Sequence, residues 1–406
     1  MAQALAGYKV VDFTHVLAGP ISTHYLRLHG ADVIKVEPED GDAMRNYAGD
    51  GPPKGSAKGM SPSFVSFNTG KRSIVMDLKN PTHKEAVLKL IAQADVVVEN
   101  FRAGVMDRLG LGFEACRKVN TGIVYCSLSG FGQTGPLKFN GALDQIIQSM
   151  SGLMTLSGEE GSPDMRIGFP VADTFTGTVA AMAIVMALLR REREGKGQYI
   201  DVAMLDAAMM MMVSVAGPFL VQGVVPRKTG NLGYSKSPVA DTFPTGDGEL
   251  TLGLTRQDQF EKMCAVLGRE DLVADARFAD KWTRQRNGVA LREQVIAALA
   301  ARSALDWEQR MNDAGLAAAA VRTLPQALAH PHFDHRQLTL HAGLMQDRKD
   351  ARILNTGFIF AQDPASVDAP APALGQHTRE VLEQLGYAAG QIEAMTGRHA
   401  VPAQNA

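Results

Sequence analysis

The sequence predicts an α/β protein: a mostly parallel, Rossmann-like sheet in a large domain formed by both chain ends, plus a smaller α+β domain. Three observations predict it. In the first half, short apolar runs alternate with helical patterns, as strands joined by crossover helices do. After residue 225 or so, the pattern changes to two strands around a glycine turn, followed by helices. Residues 326–406 then return to the first domain through a Pro/Ala-rich connector, Pro364–Pro372, and a final helix. The large domain is expected over 1–200 and 326–406, with 201–224 connecting, and the small one over 225–325.

The elements follow in order. Lys9–Phe13 reads as a buried strand, Ile21–His29 as a helix and Val33–Val36 as the next strand, which together make a β-α-β unit. Ser73–Leu78 is strand-like, and Asn80-Pro81 starts a helix carrying Ala86, Val87, Leu90 and Ile91 on one face. Val96–Val98 and Ile123–Ser127 are further apolar strands. A long apolar helix follows Asp173 and runs to Leu189, before Arg190-Arg191-Glu192-Arg193. In the small domain, Val239–Phe243 and Glu249–Leu254 read as strands turning at Gly246-Asp247-Gly248. Helices are expected around Gln259–Leu267, Leu291–Arg302 and Ala304–Ala314. The final helix, Thr378–Leu385, stops at Gly386.

Composition narrows the function. At 45% hydrophobic and 21% charged, the chain can bury sizeable cores. A net charge of −2 argues against nucleic acid or an anionic membrane as the main partner. The three cysteines, Cys116, Cys126 and Cys264, form no metal-ligand pattern and suggest reduced thiols in a cytoplasmic protein. The N-terminus lacks a secretory h-region. The apolar helix after Asp173 suits a core better than a membrane, and Met209–Met212 reads as adaptable core packing. The first strand is followed by no G-x-G-x-x-G, which argues against a nicotinamide dinucleotide.

Asp173 is the most informative residue. It stands in Gly168-Phe169-Pro170-Val171-Ala172-Asp173-Thr174-Phe175-Thr176-Gly177, where an extended stretch meets the long helix. Taken alone, the position reads as an N-cap, a preferred place for Asp. Gly177 and the nearby alanines also leave the carboxylate open to a ligand.

Further motifs occur in a fixed order: Val11-Asp12-Phe13-Thr14-His15-Val16-Leu17-Ala18-Gly19-Pro20, Gly30-Ala31-Asp32-Val33-Ile34-Lys35-Val36-Glu37-Pro38, Asn68-Thr69-Gly70-Lys71-Arg72-Ser73, Val98-Glu99-Asn100-Phe101-Arg102, Ser129-Gly130-Phe131-Gly132, Gly195–Met204 and His377-Thr378-Arg379-Glu380. With the Asp173 junction, this ordered set resembles the class III CoA-transferases of the formyl-CoA and carnitine type, over nearly the whole chain. The resemblance implies a catalytic aspartate nucleophile at Asp173. It implies coenzyme A as part of the substrate, with no tightly bound cofactor, and an interlocked homodimer. The partners implied are an acyl-CoA and a small carboxylic acid. His15, Val16 and Ala18 match the loop near the pantetheine end, Met76 and Phe101 the adenine region, and Lys79, Asn100 and Arg108 other CoA-contacting positions. Lys71 and Arg72 join these as cations suited to the CoA phosphates. Met204 matches a residue close to the acyl site.

There are departures. Leu17 stands where formyl-CoA transferase has glutamine, Pro38 replaces an arginine, Leu143 replaces a tyrosine, and the glycine loop has no full counterpart. Apolar Leu17 and Leu143 suit a larger or less polar acyl group than oxalate. Gly230-Asn231-Leu232-Gly233 is a candidate for oxyanion N–H donors, or only a hinge. Two other readings stay open: an α-methylacyl-CoA racemase of the same fold, and a non-catalytic CoA-binding protein. Racemase relatives carry a His-Asp pair after Gly-Pro-Leu, whereas this stretch reads Gly141-Ala142-Leu143-Asp144 and has no His.

Overall fold

Six strands form one fully parallel sheet: β1 (Lys9–Asp12), β2 (Asp32–Glu37), β3 (Arg72–Val75), β4 (Val96–Glu99), β5 (Val124–Ser129) and β6 (Gln198–Ala203). Their spatial order is β3-β2-β1-β4-β5-β6, and every neighbouring pair is parallel. The computed structural model describes residues 3–47, 59–342 and 350–397. The helices that frame the sheet and its site are α1 (Ala18–Leu28), α2 (Pro81–Ala92), α3 (Asp144–Met150), α4 (Val171–Glu194), α5 (Met204–Met211), α6 (Val213–Gln222) and α7 (Thr378–Gln384).

The central strands are mostly apolar because helices cover both faces of the sheet. Successive residues point to opposite sides. Val10, Val33, Val96 and Val124 pack with Leu26 of α1 and with Ala180, Ile184 and Leu188 of α4. Val11, Ile34, Val97 and Tyr125 pack on the other side with Ala86, Val87, Leu90 and Ile91 of α2 and Val381 and Leu382 of α7. Helix α2 starts as its sequence dictates: the Asn80 side chain accepts from the Thr82 N–H, and Pro81 opens the first turn. The far end of the chain is tied to the edge strand, since Ser73 N–H donates to His377 Nδ1 at 3.1 Å and His377 N–H donates to the Ser73 carbonyl at 2.9 Å.

Helix α4 is long and apolar enough to cross a membrane. Its Ala180, Ile184, Ala187 and Leu188 face is nonetheless buried on the sheet. Met209 and Met210 are exposed, so of that run the core reading holds for Met212, which is buried, and not for these two.

The chain divides into two units. The first comprises Met1–Leu153, Arg166–Gly223 and Pro331–Ala406, and the second Met154–Met165 and Val224–His330. The segment 154–165, kept with the large domain in the sequence reading, thus belongs to the second unit. That unit holds a three-stranded antiparallel sheet of β7 (Thr242–Pro244), β8 (Glu249–Leu252) and β9 (Ala318–Ala320). Its core contains Phe243, Leu250, Phe260, Met263, Leu291, Val295 and Trp307.

Candidate active site

The sheet order reverses between β1 and β4, and in such sheets the crevice opens at the carboxyl ends of those two strands. The loops that leave them are fastened to each other. Asn100, just after β4, accepts the His15 N–H on Oδ1 and donates from Nδ2 to the His15 carbonyl, both at 2.8 Å. Buried Lys35 donates to the Thr14 carbonyl. Val16 adopts a left-handed φ of 67°, a costly conformation for a β-branched residue, and donates its N–H to Asp42. The loop therefore holds one shape against local preference.

Helix α4 brings Asp173 to this crevice. Pro170 takes the N-cap position and Asp173 is the third helical residue, so the N-cap reading of Asp173 is corrected. Capping falls to Asp144 of α3, whose Oδ2 accepts the N–H groups of Ala172 at 2.8 Å and Asp173 at 3.1 Å. Gln148 donates to the other oxygen of Asp144 and accepts the Ile167 N–H at 2.9 Å. Asp173 itself lines a cavity of about 210 Å³ together with Val16, Leu17, Ala18, Asn100, Phe101, Arg102, Lys138, Leu143 and Met204. Burial, and then the charge of Asp144, push the Asp173 carboxyl up to about 7. The first-turn N–H groups of Ala172 and Asp173, which would favour an ionised Asp173, serve Asp144 instead.

A second cavity, also about 210 Å³, is lined by His15, Pro38, Met76, Leu78, Lys79 and Phe101. Phe101 borders both cavities, and its ring meets His15 edge-on at 5.4 Å. A third cavity, of about 420 Å³, carries Arg102, Arg108 and Lys138 beside Glu99, Tyr125 and Tyr199. It shares Arg102, Ala103 and Lys138 with the Asp173 cavity. Burial holds the His15 imidazole below its usual range, and burial pushes the Glu99 carboxyl up to about 7.

Most of the expected residues thus meet along three adjoining cavities. Four do not. Lys71 is fully buried and donates to Asp12 Oδ2 at 2.9 Å and Thr23 Oγ1 at 2.7 Å, so it cannot reach a phosphate. Arg72 opens β3 at the amino end of the sheet and pairs with Asp32 and Glu380. Gly230 and Gly233 lie in the second unit, and their N–H groups are already donated to the Gly158 and Ala240 carbonyls at 3.1 and 2.7 Å. Neither N–H is left for an oxyanion. Sequence reasoning missed Lys138 and Asp144. Asp144 had a signal, an acidic residue in the place the racemases give to a His-Asp pair, but its partners lie 28 and 29 residues further on.

Asp173 thus lies in a cavity at the topological switch point of the sheet, next to one that carries Arg102, Arg108 and Lys138. The chain belongs to CoA-transferase family III, which it matches over residues 5–378. It is 36% identical over 394 residues to succinate–glutarate CoA-transferase of Agrobacterium fabrum, covering 94% of this chain and 95% of the relative. It is 34% identical over 405 residues to succinyl-CoA:glutarate CoA-transferase of Mus musculus, covering 96% and 88%. The crystal structure of a CAIB/BAIF family protein from Brucella suis superposes with a TM-score of 0.86 at 33% identity, covering 95% of this chain and all (100%) of that one. The protein is a class III CoA-transferase.

Proposed function

We propose that the enzyme moves CoA from an acyl-CoA to a free short-chain dicarboxylic acid through covalent intermediates on Asp173. The carboxylate of Asp173 attacks the thioester carbonyl, forming a mixed anhydride and releasing CoA thiolate. The thiolate attacks the Asp173 carbonyl of that anhydride, which gives an aspartyl-CoA thioester and frees the donor acid. The acceptor carboxylate then attacks the aspartyl thioester. A second mixed anhydride forms, and the thiolate attacks its acceptor carbonyl, yielding the new acyl-CoA and restoring Asp173. Splitting the exchange in this way replaces one hard step by easier ones.

One observation carries the reading: Asp173 shares a cavity with the β1 and β4 loops, where Ala18, Asn100 and Phe101 sit. CoA would lie with its adenine toward Met76 and Phe101 and its phosphates near Lys79 and Arg108. Helix α1 begins without a side-chain cap, so the N–H groups of Ala18 and Gly19 have no acceptor within the helix and can meet a developing oxyanion. Leu17, Leu143 and Met204 offer apolar wall to a methylene chain, and Arg102 and Lys138 suit a distal carboxylate. The names of the relatives support succinate and glutarate as the first acids to try.

A homodimer accompanies this reading. Met182, Val185, Met186 and Leu189 of α4 and Val213, Phe219, Leu220 and Val221 of α6 are exposed, an apolar surface that a second copy would cover. Mass spectrometry of CoA exchange between a panel of acyl-CoAs and free acids tests the function. Exchange among dicarboxylates, with ping-pong kinetics, is expected, and no exchange with any pair would overturn it.

A further inference from the structure

Two carboxylates meet at the start of helix α4, and only Asp173 stands on that helix. Asp144 comes from a different helix, is buried, and spends one oxygen on the N–H groups of Ala172 and Asp173. Its other oxygen is held by Gln148, which is also fully buried and reaches Ile167. Asp144 is thus fixed by the segment that leads into α4 and in turn fixes the first turn of α4.

Two physical effects follow. Free first-turn N–H groups and the positive end of the helix dipole would stabilise the ionised form of Asp173. Asp144 takes both N–H groups and sets a negative charge against that dipole. A like charge close by also disfavours ionisation of Asp173. Other charged groups pack on α4 through their elements: Arg27 and His24 on α1, Asp201 on β6 and Asp206 on α5. Arg102 and Lys138 share the cavity. Among the described groups, the charge of Asp144 adds to burial in raising Asp173.

We propose that Asp144 is a positioning residue for the Asp173 nucleophile: it anchors the backbone on which Asp173 stands and takes the helix N–H groups that Asp173 would otherwise face. A more basic carboxylate is a better nucleophile toward a thioester. This rests on the reading of Asp173 as nucleophile, and the experiment separates the two.

Asp144→Asn keeps an acceptor for the N–H groups but removes the charge. Asp144→Ala removes both. Reactivity of Asp173 toward a water-soluble carbodiimide with glycine ethyl ester, followed against pH by peptide mass spectrometry, needs no substrate. In the wild type the protonated, reactive form is expected to disappear with a midpoint near pH 7. In Asp144→Asn the midpoint moves down by about half a pH unit or more. With the donor and acceptor found in the exchange panel, Asp144→Ala loses about a hundred-fold in kcat while the acyl-CoA KM changes little. Asp144→Asn recovers at least part of that loss. An unmoved midpoint in Asp144→Asn, or an equal kcat in Asp144→Ala and wild type, overturns the proposal. Substantial transfer by Asp173→Ala would instead sink the nucleophile reading, whatever the midpoint does.

Discussion

Gly177 lies against Ala18 so closely that a Cβ on Gly177 would stand 2.6 Å from the Ala18 carbonyl oxygen and 2.8 Å from Ile21 Cβ. Gly177 is one turn beyond Asp173, so this approach sets the depth at which the nucleophile enters the crevice beside the start of α1. Gly177→Ala should push the two helices apart, cost about 1–3 kcal/mol of stability as overpacking does, and lower kcat by about a hundred-fold. Thermal melts and steady-state transfer check both numbers. Wild-type kcat in Gly177→Ala would mean the spacing of α1 and α4 does not set the chemistry.

Asp173→Ala should abolish transfer, because no other carboxylate is among the described residues lining its cavity. Wild-type enzyme incubated with donor acyl-CoA and no acceptor should accumulate the aspartyl-CoA thioester. Hydroxylamine should then convert that residue alone to a hydroxamate, read by peptide mass. A modification elsewhere would move the nucleophile.

The cations divide by burial. Lys79→Ala and Arg108→Ala should raise the KM for acyl-CoA about ten- to a hundred-fold with little loss of kcat, since a charge-assisted phosphate contact contributes about 1.5–3 kcal/mol. Lys71→Ala should do the opposite. It leaves Asp12 as an uncompensated buried charge, and breaking such a pair costs about 3–5 kcal/mol of stability. Denaturant unfolding beside Michaelis kinetics separates the two classes.

Burial and Asp144 keep the Asp173 proton on the folded protein up to about pH 7. The kcat/KM of the free enzyme should therefore rise with pH through about 7 and then level off. The unfolded chain releases the same proton near pH 4. Between those values the folded state binds more protons, so the contribution of Asp173 to stability is full at low pH and is lost as pH rises through about 7. Asp173→Asn should gain stability relative to wild type on going from about pH 5 to about pH 8. Melting temperatures of the two proteins at both pH values test the sign.

Racemisation needs an acid and a base on either side of an α-carbon, and no histidine is among the described residues lining the Asp173 cavity. A 2-methylacyl-CoA incubated in D₂O with the enzyme alone should take up no α-deuterium above background. Catalysed exchange lost in Asp173→Ala, with no CoA transfer to any acid, would favour the racemase.

The parallel sheet was legible because each of β1, β2, β4 and β5 is an apolar run too short for a helix and bounded by polar residues. Strand β6 was not read as one. It alternates Tyr199 and Asp201 outward with Ile200 and Val202, the pattern of an edge strand, inside a segment that stood out as a motif instead. Asp173 stood out through its ordered neighbours. The roles of Lys71 and Asp144 were not, because each depends on a partner distant in sequence: Asp12 lies 59 residues before Lys71, and Ala172 lies 28 residues after Asp144. A basic dipeptide looks the same whether it faces water or a buried aspartate.

The clasp between His377 and Ser73 has a bearing on how the polypeptide comes off the ribosome. Strand β3 and its Ile74 are made early, yet Val381 and Leu382, which cover that side of the sheet, are among the last described residues to emerge. All segments of the second unit, 154–165 and 224–330, are synthesised before then. Helix α2 can cover its part of that face early, but the part over β3 stays open until α7 is made, exposed to chaperones and to other nascent chains. A stop codon between residues 331 and 375 would release the large unit in that uncovered state, with the codon for Asp173 long since read.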